Sequence, residues 1–247
     1  MNNSPQLLSL LRQFGQEIHH PALLRWHDAL EQGRGNGVRL ALLDSGIAWH
    51  HSWFARANLQ AKDFTGSGLA DSTGHGTQMA SLLVGPWGLI PQATLLFGKV
   101  LKATSATQSE VYLARGIHWA IQQQVDILVL PLGRSQPSRQ IQTALNRAID
   151  NGIRVFAAAG NRGPDTILFP ALLPGVAAVT GADKTGTVLT GCTSGELADC
   201  IALGKVLVPS LSASTDPATL VGSSPATAIA AGIAALNTEL AMRRERA

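Results

Sequence analysis

The sequence predicts an α/β fold built around a mostly parallel sheet, and three observations carry that expectation. Four apolar runs, at 38–43, 95–101, 126–132 and 154–159, have strand length and lack polar–apolar alternation, as strands buried on both faces do. Helical periodicity at 109–124 and 138–151 precedes the last two runs, and strands alternating with helices specify parallel neighbours. The composition agrees: 45% of residues are hydrophobic but only 5% aromatic, so helices and sheet can approach closely through small side chains.

In chain order, apolar positions at Leu7, Leu8, Leu10, Leu11, Phe14, Ile18, Leu23, Leu24, Trp26 and Leu30 read as one or two amphipathic helices interrupted near Pro21. A glycine-rich loop at 33–37 leads into the first strand, which stops at Asp44-Ser45-Gly46. A helix carrying the apolar run 79–84 follows, then the strand at 95–101 and the alternating helices and strands already described. Stretches 176–180 and 199–203 add strands, and a long apolar-faced helix at 225–244 closes the chain. No internal repeat or linker interrupts this order.

At 247 residues the chain makes one large globular domain or two small ones. A formal charge of +3 and 14% charged residues exclude a disordered chain. Domains of this size bury about 70–75% of their unfolded surface, so neither metal nor disulfide is needed for stability. The pI is near 9.2, but the Lys and Arg residues are dispersed apart from Arg243, Arg244 and Arg246, so no nucleic-acid partner is expected. Residues 1–20 lack the pattern of a secretory signal, and no apolar run approaches the roughly 18 residues of a membrane span. Cys192 and Cys200 are spaced for either a hairpin disulfide or two free thiols; free thiols and a cytoplasmic location are the expectation.

In open parallel sheets ligands bind beyond the carboxyl ends of the strands. Asp44 and Asn161 end strand runs there, while His75 and Ser224 open helices. Proline is favoured at the first helical position, which predicts Ser224 as the N-cap of the last helix. Capping alone accounts for a serine there, as packing does for a lone strand-end acid. Together, an acid, a histidine, a helix-start serine and an asparagine supply orienter, base, nucleophile and oxyanion donor for acyl transfer. The loop Gly33-Arg34-Gly35-Asn36-Gly37 precedes a strand instead of joining strand to helix, so it does not read as a phosphate loop. The adjacent pairs His19-His20 and His50-His51 lack the accompanying carboxylates or cysteines of a metal site and read as surface.

The blocks Asp44-Ser45-Gly46-Ile47, His75-Gly76-Thr77, Ala157-Ala158-Ala159-Gly160-Asn161 and Gly222-Ser223-Ser224-Pro225-Ala226 resemble, in that order, those of the subtilisin-like serine proteases, the subtilases of peptidase family S8. The similarity extends from about Val38 to Leu240 and includes Gly116-Ile117-His118-Trp119-Ala120 and Phe169-Pro170. It implies a three-layer subtilisin-like fold with helices on both faces of the sheet. A peptidase domain would span 38–247, with residues 1–37 as a helical extension packed on it. It further implies a serine endopeptidase working through an acyl-enzyme, with Ser224 as nucleophile, His75 as base and Asp44 orienting His75. Asn161 and the Ser224 backbone N–H would form the oxyanion hole. Leu101, Lys102 and Ala103, with Leu130, Leu132 and Gly133, would pair with an extended peptide or protein substrate. Secreted relatives carry a pro-segment of about seventy residues, whereas 37 residues precede the strand here, so an intracellular processing enzyme is expected.

The chain departs from the family pattern at four places. Pro225 replaces the usual Met after the nucleophile, Ala228-Ile229 replaces a Pro-His pair, and Pro131 replaces a Ser and offers no N–H. Ser223 stands beside Ser224 as a second hydroxyl. Two readings from other classes remain open at this stage: an inactive binding or scaffold module, and a peptide transferase in which an amine replaces water on the acyl-enzyme. By the resemblance, Leu132-Gly133-Arg134 and Ala158-Ala159-Gly160-Asn161-Arg162 form opposite walls of the pocket for the side chain before the scissile bond. Arg134 and Arg162 at its rim predict a preference for Asp or Glu, unless they point to solvent, pair with Asp165, or fill the pocket.

No metal and no cofactor are expected. The family often inserts an oxygen-rich calcium loop between the His helix and the next strand, but Val84-Gly85-Pro86-Trp87-Gly88-Leu89-Ile90-Pro91 is short and carries no carboxylate. EGTA should therefore leave the melting temperature unchanged in a thermal scan; a large fall would contradict this.

Overall fold

The computed structural model describes residues 5–13, 23, 26–85, 88–102, 106–208 and 218–246. Seven strands form one sheet: β1 (Arg39–Asp44), β2 (Asn58–Asp63), β3 (Thr94–Lys99), β4 (Ile127–Leu130), β5 (Arg154–Ala158), β6 (Val176–Ala182) and β7 (Cys200–Leu203). They lie in the order β2-β3-β1-β4-β5-β6-β7, every pairing parallel. The chain leaves β1 toward one edge to make β2 and β3, then crosses to the other side for β4 to β7. That reversal opens a crevice beyond the carboxyl end of β1.

Side-chain alternation along the strands sends neighbouring residues to opposite faces. Leu40, Leu42, Phe97, Val129 and Phe156 pack with α3 (His75–Val84) and α6 (Ser223–Glu245). Ala41, Leu43, Leu96, Leu128 and Val155 pack with α4 (Ala106–Gln122) and α5 (Arg139–Asp150). Helices thus cover both faces, and the predicted three-layer α/β fold is the observed one. Helix α6 is buried around its whole circumference from Ala228 to Leu236, which explains its run of alanines and its lack of a polar stripe.

Helices α1 (Pro5–Arg12) and α2 (Trp26–Gln32) contribute Leu7, Leu11, Ala29 and Leu30 to the α6 side of the core. The expected positions Phe14, Ile18, Leu24 and His19-His20 lie outside the described residues. The glycine-rich loop after α2 has a structural purpose. Glu239, 1% exposed, accepts the backbone N–H groups of Arg34 and Gly35 through Oε2, both at 2.6 Å. Its other oxygen pairs with Arg243, so part of the basic C-terminal cluster is spent on structure.

Three strands were not foreseen. Strand β2 alternates exposed and half-buried residues, so NLQAKD carries no apolar run. The hairpin of β8 (Lys205–Val208) and β9 (Ala218–Val221) has still shorter, half-exposed strands. Cys192 and Cys200 are buried and unbonded.

Replacing Glu239 with Ala orphans a buried backbone N–H at Gly35 and a half-buried one at Arg34 and should cost about 1–3 kcal/mol in urea unfolding, with Glu239→Gln, which keeps an acceptor, costing less.

Candidate active site

Asp44 is the last residue of β1 and is fully buried. Its carboxylate receives the Ser45 backbone N–H at 2.6 Å and faces His75, whose Nδ1 lies 2.8 Å from Oδ1 and 2.9 Å from Oδ2. His75 is the first residue of α3, and Gly76 lets that helix start approach β1. A Cβ at Gly76 would fall 2.3 Å from the Gly46 carbonyl oxygen and 3.1 Å from the Cβ of Asp44.

Asp71 fastens this helix start. One of its oxygens accepts from the Thr77 backbone N–H and hydroxyl at 2.8 and 2.6 Å; the other accepts from Gly74 N–H and the Ser45 hydroxyl. Burial works against the Asp71 charge, but the hydrogen bonds from Thr77, Ser45 and Thr73 outweigh it and hold the pKa below its ordinary value. For His75, burial alone would lower the pKa. The hydrogen bond and charge of Asp44, with a contribution from Asp71, overcome it and raise the pKa above 6.5.

Ser224 does not cap α6. The N-cap is Gly222, with φ of 128°, which places Ser223, Ser224 and Pro225 in the first turn. Glycine is required twice at this position, by the dihedral and by crowding: a Cβ would sit 2.9 Å from the Asn161 side chain. Near the helix start the Ser224 N–H still belongs to the group without an intrahelical acceptor. The Ser224 hydroxyl donates to the Pro131 carbonyl at 2.9 Å. Ser223 is 1% exposed and donates its N–H to Asn161 Oδ1 at 2.9 Å. The Cys192 thiol donates to the same oxygen at 3.1 Å. With Oδ1 doubly engaged, Nδ2 is the Asn161 donor available in the cleft.

The cleft has a volume of about 790 Å³ and is lined by His75, Ser224 and Asn161. Leu101, Lys102, Leu132, Gly133, Ala158, Gly160 and Arg162 line it as well. Leu130 does not: it is fully buried inside β4, one residue short of the exposed segment. Arg134 does not line it either, because its guanidinium pairs with Glu110. Arg162 bonds the Ser135 hydroxyl and not Asp165. The expected pair of carboxylate-seeking arginines is therefore not assembled. Ala103 lies outside the described residues. Sequence reasoning missed Leu168 and Lys99 as cleft-lining residues and Cys192 as a partner of Asn161. Asp71 had a local signal in its Asp-x-x-Gly spacing ahead of the helix, a turn pattern.

Residues 35–243 match the subtilase family, Peptidase_S8. Over 208 residues the chain is 35% identical to the thermostable alkaline protease of Halalkalibacterium halodurans, covering 82% of this chain and 57% of that protein. It is 34% identical over 208 residues to Subtilisin Savinase of Lederbergia lenta, covering 82% and 76%. The chain thus spans only a little over half the length of several curated relatives that it matches. Among solved structures, the patellamide maturation protease PatA superposes with a TM-score of 0.73 at 28% identity, covering 86% of this chain and 82% of that one. The PatG macrocyclase domain superposes with a TM-score of 0.74 at 18% identity, covering 92% and 85%, and shares the fold.

A raised folded-state pKa means that His75 stabilises the protein at pH below about 6.5 and that this contribution is lost as pH rises through the folded pKa. Asp44→Asn removes the two Asp44 contributions and leaves burial dominant. The His75 resonance followed by NMR should then titrate below 6.5 instead of above it.

Proposed function

Because the chain belongs to the subtilase family of serine proteases, we propose that it is a serine endopeptidase acting through Asp44, His75 and Ser224. The observation that carries the reading is the Asp44–His75 contact at 2.8 Å, with Ser224 and Asn161 on the same cleft. Asp44 engages Nδ1 of His75 and leaves Nε2 to act as base, the arrangement that acyl transfer to a serine requires.

Ser224 Oγ leaves the Pro131 carbonyl and attacks the carbonyl carbon of a peptide bond while its proton passes to His75 Nε2. The oxyanion so formed takes hydrogen bonds from the Ser224 N–H and Asn161 Nδ2. Collapse breaks the C–N bond, and His75 returns the proton to the departing amine. Water then repeats the sequence on the acyl-enzyme, releasing the acid and restoring the Ser224 hydroxyl. An amine in place of water would give a new peptide bond, so mass spectrometry of the products separates hydrolysis from transfer. An intracellular location belongs to the same reading, and the two buried, unbonded thiols support it.

A fluorophosphonate should label Ser224; a chain that stays unlabelled is a binding module instead. Ser224→Ala and His75→Ala should each reduce peptidase activity to background, and the double variant should lose little more. Asn161→Ala should lower kcat by about 10²–10³-fold with KM little changed, a range taken from subtilisin itself and not obtained from this structure. Since only neutral His75 accepts a proton, kcat/KM should rise with pH through a value above 6.5.

A further inference from the structure

Two segments of backbone line the cleft: Leu132 and Gly133 beyond β4, and Ala158, Gly160 and Asn161 at the end of β5 and just past it. The gap between them starts beside Ser224 and Asn161, where a substrate side chain adjacent to the reacting carbonyl would enter. It is occupied by Leu168. A Cβ placed on Gly133 would lie 2.9 Å from Leu168 Cδ1, and one placed on Gly160 would lie 2.8 Å from Leu168 Cγ. One leucine side chain therefore packs against the α-carbons of both walls and is 9% exposed.

Backbone hydrogen bonds anchor Leu168 between the two walls. Leu168 N–H donates to the Ala159 carbonyl at 2.7 Å, which ties it to the β5 wall. Phe169 exchanges two hydrogen bonds with Arg134, at 2.8 and 3.0 Å, which ties it to the β4 wall. Displacing the Leu168 backbone requires breaking these bonds, and Gly133 and Gly160 crowd its side chain from either side. Substituting either wall glycine would already collide with the leucine, so the two glycines and the leucine are matched in size.

Building on the peptidase reading, we propose that Leu168 is the floor of the pocket for the residue preceding the scissile bond and restricts that residue to Gly, Ala or Ser. What remains above it is bounded by Leu132, Ala158 and the leucine itself. Leucine, phenylalanine or a longer side chain would have to occupy the volume that Leu168 fills, and steric exclusion is the basis of the selectivity. Arg162 lies on the lining of the cleft but is engaged with Ser135, so charge recognition does not decide the preference.

The test uses the full chain and reads binding separately from chemistry. Product-like peptides identical except for a C-terminal Ala, Leu or Phe are titrated into the Ser224→Ala protein by calorimetry. The Ala peptide should bind at least about tenfold more tightly than the Phe peptide, in line with the discrimination a filled apolar pocket achieves. Adding Leu168→Gly should reduce that ratio about tenfold or more, and Leu168→Ala should reduce it less. In the active chain the ratio of kcat/KM for Phe over Ala substrates should rise in the same order. Equal binding of Ala and Phe peptides by the Ser224→Ala protein would overturn the proposal, as would an unchanged ratio in a folded Leu168→Ala variant. Failure of fluorophosphonate to label Ser224 counts against the peptidase reading alone, because the calorimetric comparison needs no turnover.

Discussion

A fully buried carboxylate at the end of a central strand is the constraint from which the cleft is organised. A carboxylate inside the protein needs hydrogen-bond partners, and a neighbouring backbone N–H supplies only part of what Asp44 needs. The imidazole of His75 supplies the rest, which obliges α3 to begin against β1. That approach is open only to a helix whose second residue has no side chain, hence Gly76. Asp71 then meets the free N–H groups of the helix start and joins them to Ser45, the residue after Asp44. The result is a closed set of bonds in which His75 has one orientation.

The opposite half of the site is fixed by absence of volume. Gly181, Gly204 and Gly222 bring three backbones into contact: a Cβ on Gly181 would lie 2.5 Å from the Gly222 carbonyl, and one on Gly204 would lie 2.6 Å from the Gly181 α-carbon. Gly222 N–H bonds the Gly204 carbonyl at 2.9 Å, so the ends of β6 and β7 hold the entry to α6. From there Ser223 and Cys192 seize the Asn161 carbonyl. Rigid helices and strands thus present Ser224 and Asn161, with no long side chain intervening.

How far the sequence disclosed this depended on whether a feature was local. Buried strands announced themselves as unbroken apolar runs, and β1, β3, β4 and β5 were read correctly to within two residues or so. Strand β2 was not, because a half-exposed edge strand mixes polar and apolar positions without a continuous run. Asp44, His75, Asn161 and Ser224 were legible as strand ends and helix starts, and the family resemblance joined them. The N-cap was misplaced by two residues because Pro225 suggested a helix beginning at itself, whereas the positive φ of Gly222 decided the start. Arg134 and Arg162 looked like a charged rim because their partners, Glu110 and Ser135, are supplied by α4 and by the loop ahead of α5. Leu168 gave no signal, since only the folded chain reveals what lies between Gly133 and Gly160.

The departures from the family pattern take their meaning from the same local physics. Proline costs a position its N–H but leaves the carbonyl, and at Pro131 the carbonyl is the atom in use, accepting the Ser224 hydroxyl. Pro225 stands in the first turn of α6, where backbone N–H groups have no helical acceptor and a missing one leaves no bond unmade. Ala228 and Ile229 are both fully buried, so replacing a Pro-His pair there exchanges one interior filling for a more apolar one inside a helix with no solvent-facing side. The groups that meet the cleft, His75, Asn161 and Ser224, keep the elements that place them.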